Sequence, residues 1–165
     1  MTEEKKAEIV QPHQNKSREV THFDIERVYN DAKLMYDMIG TQIGNYKSFY
    51  AIAHQQIVTI DPLRFFLVNP AYSIFDALPE AIIVNPKIIR HTNQIIDKEE
   101  GCLSFATMPM VKVKRWNKCE VSFHVLESNM TISEPHTMNL SGRVAQVFQH
   151  EKEHFDCDYI YKIKQ

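Results

Sequence analysis

The chain's 165 residues suffice for one domain with a real core, and its hydrophobic and charged fractions, 44% and 24%, are those of a soluble globular protein. A formal net charge of −2 gives no electrostatic pull towards nucleic acid or an anionic membrane, and no apolar run approaches the length of a membrane span. Three cysteines, an odd number, and a start that lacks the apolar core of a signal peptide point to a reducing compartment with at least one free thiol.

Residues 1–20 read as a flexible arm, and 21–165 as a single domain. From Thr21 to Gly44 the residues Ile25, Val28, Tyr29, Ala32, Tyr36, Ile39 and Ile43 recur at helical spacing, with Thr21 and Asp24 resembling a capping box. The middle differs. "QQIVTI", "RFFLVN" and "AIIVNPKII" are short runs rich in β-branched and aromatic residues, broken by prolines, and read as strands. "MVKVKRW" and "CEVSFHVL" alternate as half-buried strands do, and "MTISEPHTMNL" reads as a strand interrupted at Pro135. From Ser141, a possible N-cap, to about Tyr159 the helical period returns, with Val144, Val147, Phe148, Glu151 and Phe155 along one side. Helix, strands, helix gives an α+β domain: antiparallel β-sheets packed around a C-terminal helix, with a further helix at the N-terminal end.

Within that last helix stands "HEKEH". His150 and His154, four apart, face the same way and can hold one metal ion, and Glu151 lies beside them to move protons. A charged helix can show the pattern by chance, but Phe148 and Phe155 on either side argue against a solvated face. Zinc peptidases with this motif take a third ligand downstream. Here the position six residues after the second histidine is Ile160, and no glutamate follows His154. Asp158, on the same helix, stands about 12 Å along the axis from His150 and cannot converge with both histidines on one ion. The third ligand is therefore expected upstream, with Cys102 in "EEGCLSF" the best candidate, since a thiolate is a strong ligand for zinc or ferrous iron. Cys157 is a weaker candidate for the same reason as Asp158, and Cys119 fits a small buried hydrophobe.

"EEGCLS" followed by "QHEKEH" resembles the peptide deformylase family, whose second and third motifs are Glu-Gly-Cys-Leu-Ser and Gln-His-Glu-x-x-His. "IVNPKII" and "VKRWNKCEVSF" are similar to two of its strands, and the resemblance runs from about Ala51 to Ile160. The first motif, Gly-x-Gly-Leu-Ala-Ala-x-Gln, is altered. In "FYAIAHQQ", Phe49 and Ala51 replace the glycines, Ile52 the leucine and His54 an alanine, while Ala53 and Gln56 match. Glycine lets a backbone approach substrate closely, so these changes bear on the shape of the cleft. Cys157 stands where the family usually has glycine, and a long C-terminal extension is expected to be absent.

The resemblance implies an enzyme that removes the N-formyl group from the N-terminal methionine of nascent polypeptides and releases formate. Cys102, His150 and His154 would hold one divalent ion and leave a fourth position open for water. Glu151 would carry the proton. The backbone N–H of Leu103 and the side-chain amide of Gln56 would meet the oxyanion. Glu100, Gly101, Arg115, Ala51 and Gln149 would surround ligands or substrate, with Glu100 and Arg115 paired. The family's usual preference implies Fe2+ in the cell, with Zn2+ or Ni2+ in purified protein. Expected partners are N-formyl-methionyl nascent peptides, with the ribosome as a further possibility, and neither nucleic acid nor membrane. A monomer in the cytoplasm, or in an organelle, is expected. The alternative is a deformylase-like metalloprotein that binds formylated peptides or acts on another acyl-amide or peptide.

Overall fold

The computed structural model describes residues 16–41, 50–58, 60–69, 82–102, 104, 108–158 and 160. A 3-10 turn at His22–Asp24 leads into helix α1, Ile25–Thr41. Strands β1 (Ala51–Ala53), β2 (Phe65–Val68), β3 (Ile82–His91), β4 (Ile95–Glu100), β5 (Val111–Trp116), β6 (Lys118–Val125) and β7 (His136–Ser141) precede helix α2, Gly142–Phe155. Five strands form one sheet in the order β1-β2-β3-β6-β7, and β4-β5 form a separate ribbon; every pairing is antiparallel.

Strand alternation divides the core in two. In β2, Phe66 and Val68 face a cluster that includes Phe123, Phe148 and Phe155, whereas Phe65 and Leu67 face a second cluster built on Val28, Ala32, Met35 and Met38 of α1. This part of the sheet is covered by a helix on each face, so β1 and β2 are apolar throughout. Phe148 of α2 meets the edge of Phe66 at 5.8 Å between centroids. Burying a ring of this size contributes roughly 1.5–3 kcal/mol, and it seats the metal-motif helix on the sheet.

Several expected elements are corrected. "QQIVTI" is not a strand: His54–Gln56 form a 3-10 turn, because the Gln56 side chain accepts the Ala53 N–H at 2.9 Å and draws the chain back on itself. The paired strand is the three residues before it. β4 was not expected at all; four of its six residues are charged, and they carry no apolar alternation. The strand around Pro135 begins only after the proline, and the last helix stops at Phe155.

Residues 16–20, expected to be part of an arm over 1–20, are packed on the domain. Ser17 and Val20 are buried, the Ser17 N–H donates to Phe155 O at 2.9 Å, and Arg18 bridges Leu63. Asn85, at φ 49° where β3 bulges, accepts the Val20 N–H and donates to its carbonyl at 2.8 and 2.9 Å. Residues 16–20 thus belong to the domain, and residues 1–15 lie outside the described residues.

Asp24 secures this corner. Its carboxylate accepts the Thr21 N–H at 2.8 Å, the reaching-back half of a capping box, and a two-point bond from Arg18 at 2.8 and 2.7 Å. Arg18 holds the Asp24 carboxyl well below the usual range against the opposing effect of burial. A carboxyl with a depressed folded pKa stabilises the fold above its unfolded value, near 3.9, and loses that contribution as pH falls. Asp24→Asn is expected to lower stability by about 1–2 kcal/mol at pH 7. The gap from wild type, read from urea midpoints, should shrink steadily below about pH 5. A gap as large at pH 2 as at pH 7 would remove the electrostatic explanation.

Candidate metal centre

α2 carries three of the site residues because its sheet-facing side is apolar and its ribbon-facing side is not. His154 and Glu151 are buried, at 2% and 4% exposure, and His150 is half-buried. Cys102 arrives from the segment between β4 and β5. One ligand atom from each of Cys102, His150 and His154 lies within 4.8 Å of the others, and Cys102 Sγ is 3.4 Å from His154 Nε2. Among the described residues this is the group that could hold a metal ion.

The donors fit a metal chemically as well as spatially. His150 Nδ1 lies 2.8 Å from Glu100 Oε1, so Nδ1–H donates there and Nε2 is the nitrogen left to lose its proton to an incoming metal. Glu151 Oε2 is buried and has no hydrogen-bond partner among the described residues, as a carboxylate reserved for a bound species would be. Burial opposes protonation of His150, yet Cys102 and Glu100 outweigh it and raise its pKa to about 10. Burial pushes His154 the other way, well below its usual value. A closed structural site would need a fourth protein ligand. Cys119 is instead buried in β6, and Cys157 Sγ accepts from the Gln55 amide at 3.1 Å.

Around these ligands lies an ion network. Arg115 grips Glu100 with two bonds, 2.7 and 2.6 Å, and reaches Glu153 at 2.5 Å, with Arg115 and Glu100 both buried. Burial disfavours the charged Glu100, but Arg115 and His150 prevail and hold its carboxyl at about 2. Arg115 thus fixes Glu100, and Glu100 fixes the His150 ring. Burial raises Glu151 to about 7, with His150 opposing, Glu100 adding and Arg115 opposing.

Gln56 closes the site from the sheet side. With Oε1 held by Ala53, its Nε2 faces Ser104 Oγ at 3.2 Å and Cys102 Sγ at 4.0 Å. The other expected residues separate. Gln149 clamps the edge of β5, accepting the Trp116 N–H and donating to the Trp116 carbonyl, both at 3.0 Å. Ala51 packs in the core beside Phe66 and Val68. An added Cβ at Gly101 would lie 2.9 Å from Met110 Sδ, the end of an exposed, flexible side chain that can move aside, so space alone does not demand glycine there. Leu103 and Phe49 lie outside the described residues. Ser104, unremarked in the sequence except as the motif's last residue, contacts Gln56. Cys157 adopts φ 58° just past α2, the left-handed helix-end conformation that glycine favours.

Fold and cluster together define a class: an α+β protein whose C-terminal helix brings two histidines and a buried carboxylate to an upstream cysteine, a group of three candidate ligands among the described residues. A sequence model of the family described as polypeptide deformylase matches residues 8–164. The chain belongs to that family. "Peptide deformylase 2" of Nostoc sp. is 32% identical over 99 residues, covering 56% of this chain and 51% of the relative. "Peptide deformylase" of Desulfotalea psychrophila is 33% identical over 140 residues, covering 83% and 72%. The match thus spans about half the length of the Nostoc relative. In structure, the chain is similar to the peptide deformylase of Thermotoga maritima, with a TM-score of 0.72 at 23% identity over 94% of this chain and 95% of that one. This likeness is one of fold. No helix among the described residues is long and apolar enough to cross a membrane.

Proposed function

We propose that the chain is a metal-dependent amidohydrolase that removes the formyl group from N-formyl-methionyl ends of nascent polypeptides and releases formate. The observation that carries this reading is the Gln56 amide, 4.0 Å from Cys102 Sγ and facing a three-ligand group beside a buried, unpartnered Glu151 oxygen. Membership of the deformylase family supports the choice of substrate.

Cys102, His150 and His154 would hold one divalent ion, which when bound supplies Lewis acidity to the site. A thiolate with two imidazoles suits iron, zinc or nickel, and ferrous iron is the reading for the cell. Glu151 takes a proton from the attacking water and returns it to the departing amine nitrogen. Negative charge developing on the formyl oxygen is met by Gln56 Nε2–H, with the Leu103 N–H as the second donor. Glu100 and Arg115 keep His150 in one tautomer and one orientation. The setting is wherever formylated chains emerge, near the ribosome, and the working unit is a monomer.

The test is formate release from a short N-formyl-methionyl peptide by protein purified without air and loaded with ferrous iron or nickel. Turnover supports the proposal and means that Phe49 and Ala51 still leave an open cleft. One bound metal per chain with no formate released would overturn it.

A further inference from the structure

His54 is a buried polar residue in the first motif that no step above uses. Its side chain is fully buried, stacked on Phe65 with centroids 4.4 Å apart. Nδ1 lies 3.0 Å from the Leu63 N–H, and Nε2 lies 2.8 Å from Asp31 Oδ2. The backbone donor fixes the tautomer: Nδ1 must carry a lone pair, so the proton sits on Nε2 and is donated to Asp31. One neutral ring is thus held at both nitrogens and one face, by α1, by the approach to β2 and by β2 itself.

This ring opens the turn that Gln56 ends. The N–H groups of Ile57 and Val58 both donate to the His54 carbonyl, at 3.0 and 3.1 Å, so the turn closes on His54. Asp31 is in turn 3.6 Å from Arg27, which pairs with Asp61 at 3.0 Å, tying the assembly to the loop before β2. An apolar residue in place of His54 would fill the core without removing an imidazole and a carboxylate from water. What the pair adds is direction: it sets where the turn lies, and with it the one side chain of the turn that faces the metal ligands.

We propose that His54, oriented by Asp31, is a positioning residue that fixes the Gln56 amide against the Cys102–His150–His154 group. This rests on the amidohydrolase reading, in which Gln56 meets the developing oxyanion.

The test is a double-mutant cycle between His54 and Gln56 in the metal-loaded enzyme. His54→Ala alone is expected to lower kcat roughly 10- to 100-fold, the scale of a small misplacement of a reacting group. KM and metal per chain should not change. In a Gln56→Ala background the same substitution should have no further effect on kcat, because the group it positions is gone. A substitution that merely destabilises the protein removes the same fraction of activity in both backgrounds. Equal losses in the two backgrounds, or no loss in either, would overturn the proposal. Asp31→Asn preserves volume and should reproduce the pattern at smaller size, which keeps the test open if His54→Ala folds poorly. Should the wild type release no formate, the functional reading fails by itself, and crystal structures then decide the positioning claim. Displacement of Gln56 Nε2 beyond its 4.0 Å separation from Cys102 Sγ in either variant supports it, and an unmoved amide overturns it.

Discussion

Cys102→Ala is expected to yield a folded protein that no longer retains a metal ion. The residue is half-buried on the segment between β4 and β5 and belongs to neither core cluster, so its loss leaves the two helix–sheet layers intact. The ligand set is affected far more. Three donor atoms within 4.8 Å become two, both imidazoles on one helix, and the charged donor of the set disappears. Altering a residue that only orients a ligand costs roughly 10–100-fold in metal affinity, and removing a ligand should exceed that. Elemental analysis after gel filtration, beside a melting curve, reads both consequences. Metal retained at one ion per chain would mean that the site is assembled differently, as in a peptidase whose third ligand lies elsewhere. It would also remove the role given to Gln56, which faces this sulfur.

Glu151→Gln is expected to have the opposite signature: metal retained, chemistry lost. The amide matches the carboxylate in shape but cannot accept and return a proton. Formate release should fall by roughly 10²–10⁴-fold, the usual scale for a general acid–base group, with KM little changed. The fold should not suffer. Burial raises the Glu151 carboxyl to about 7, so in the metal-free protein the folded state binds protons more tightly than the unfolded chain, whose value lies near 4.3. Such a group loses stability as pH rises between those two values, and the glutamine does not. Metal-free Glu151→Gln should therefore melt no lower than wild type at pH 8 and show a flatter pH dependence from pH 5 upwards. Loss of metal in this variant would assign Glu151 to the ligand set. Undiminished turnover would exclude it as the proton carrier.

His150, Glu151 and His154 were legible in the sequence because their relation is a property of one helix. A spacing of four residues puts two imidazoles on one side whatever the helix packs against. The apolar residues flanking them, Phe148 and Phe155, gave the buried face for the same reason. Cys102 as the upstream partner of the two histidines was expected from elimination together with the "EEGCLS" motif, and its sulfur does lie within 4.8 Å of their ligand atoms. The alternating strands β5 and β6 were read from periodicity that local geometry imposes.

Other features depend on contacts between distant segments, which periodicity does not carry. Gln149 sits within the motif, yet its role is set by the backbone edge of β5 beside it. β4 forms because β5 offers it a partner, while its own exposed residues show no apolar alternation. "QQIVTI" has the composition of a strand, but the Gln56 side chain captures the Ala53 N–H and Asp31 meets the His54 ring from 23 residues away. A sequence can state which side chains a helix presents together; only the tertiary structure decides which backbone edge, carboxylate or sulfur stands opposite, because those distances are set by how layers pack.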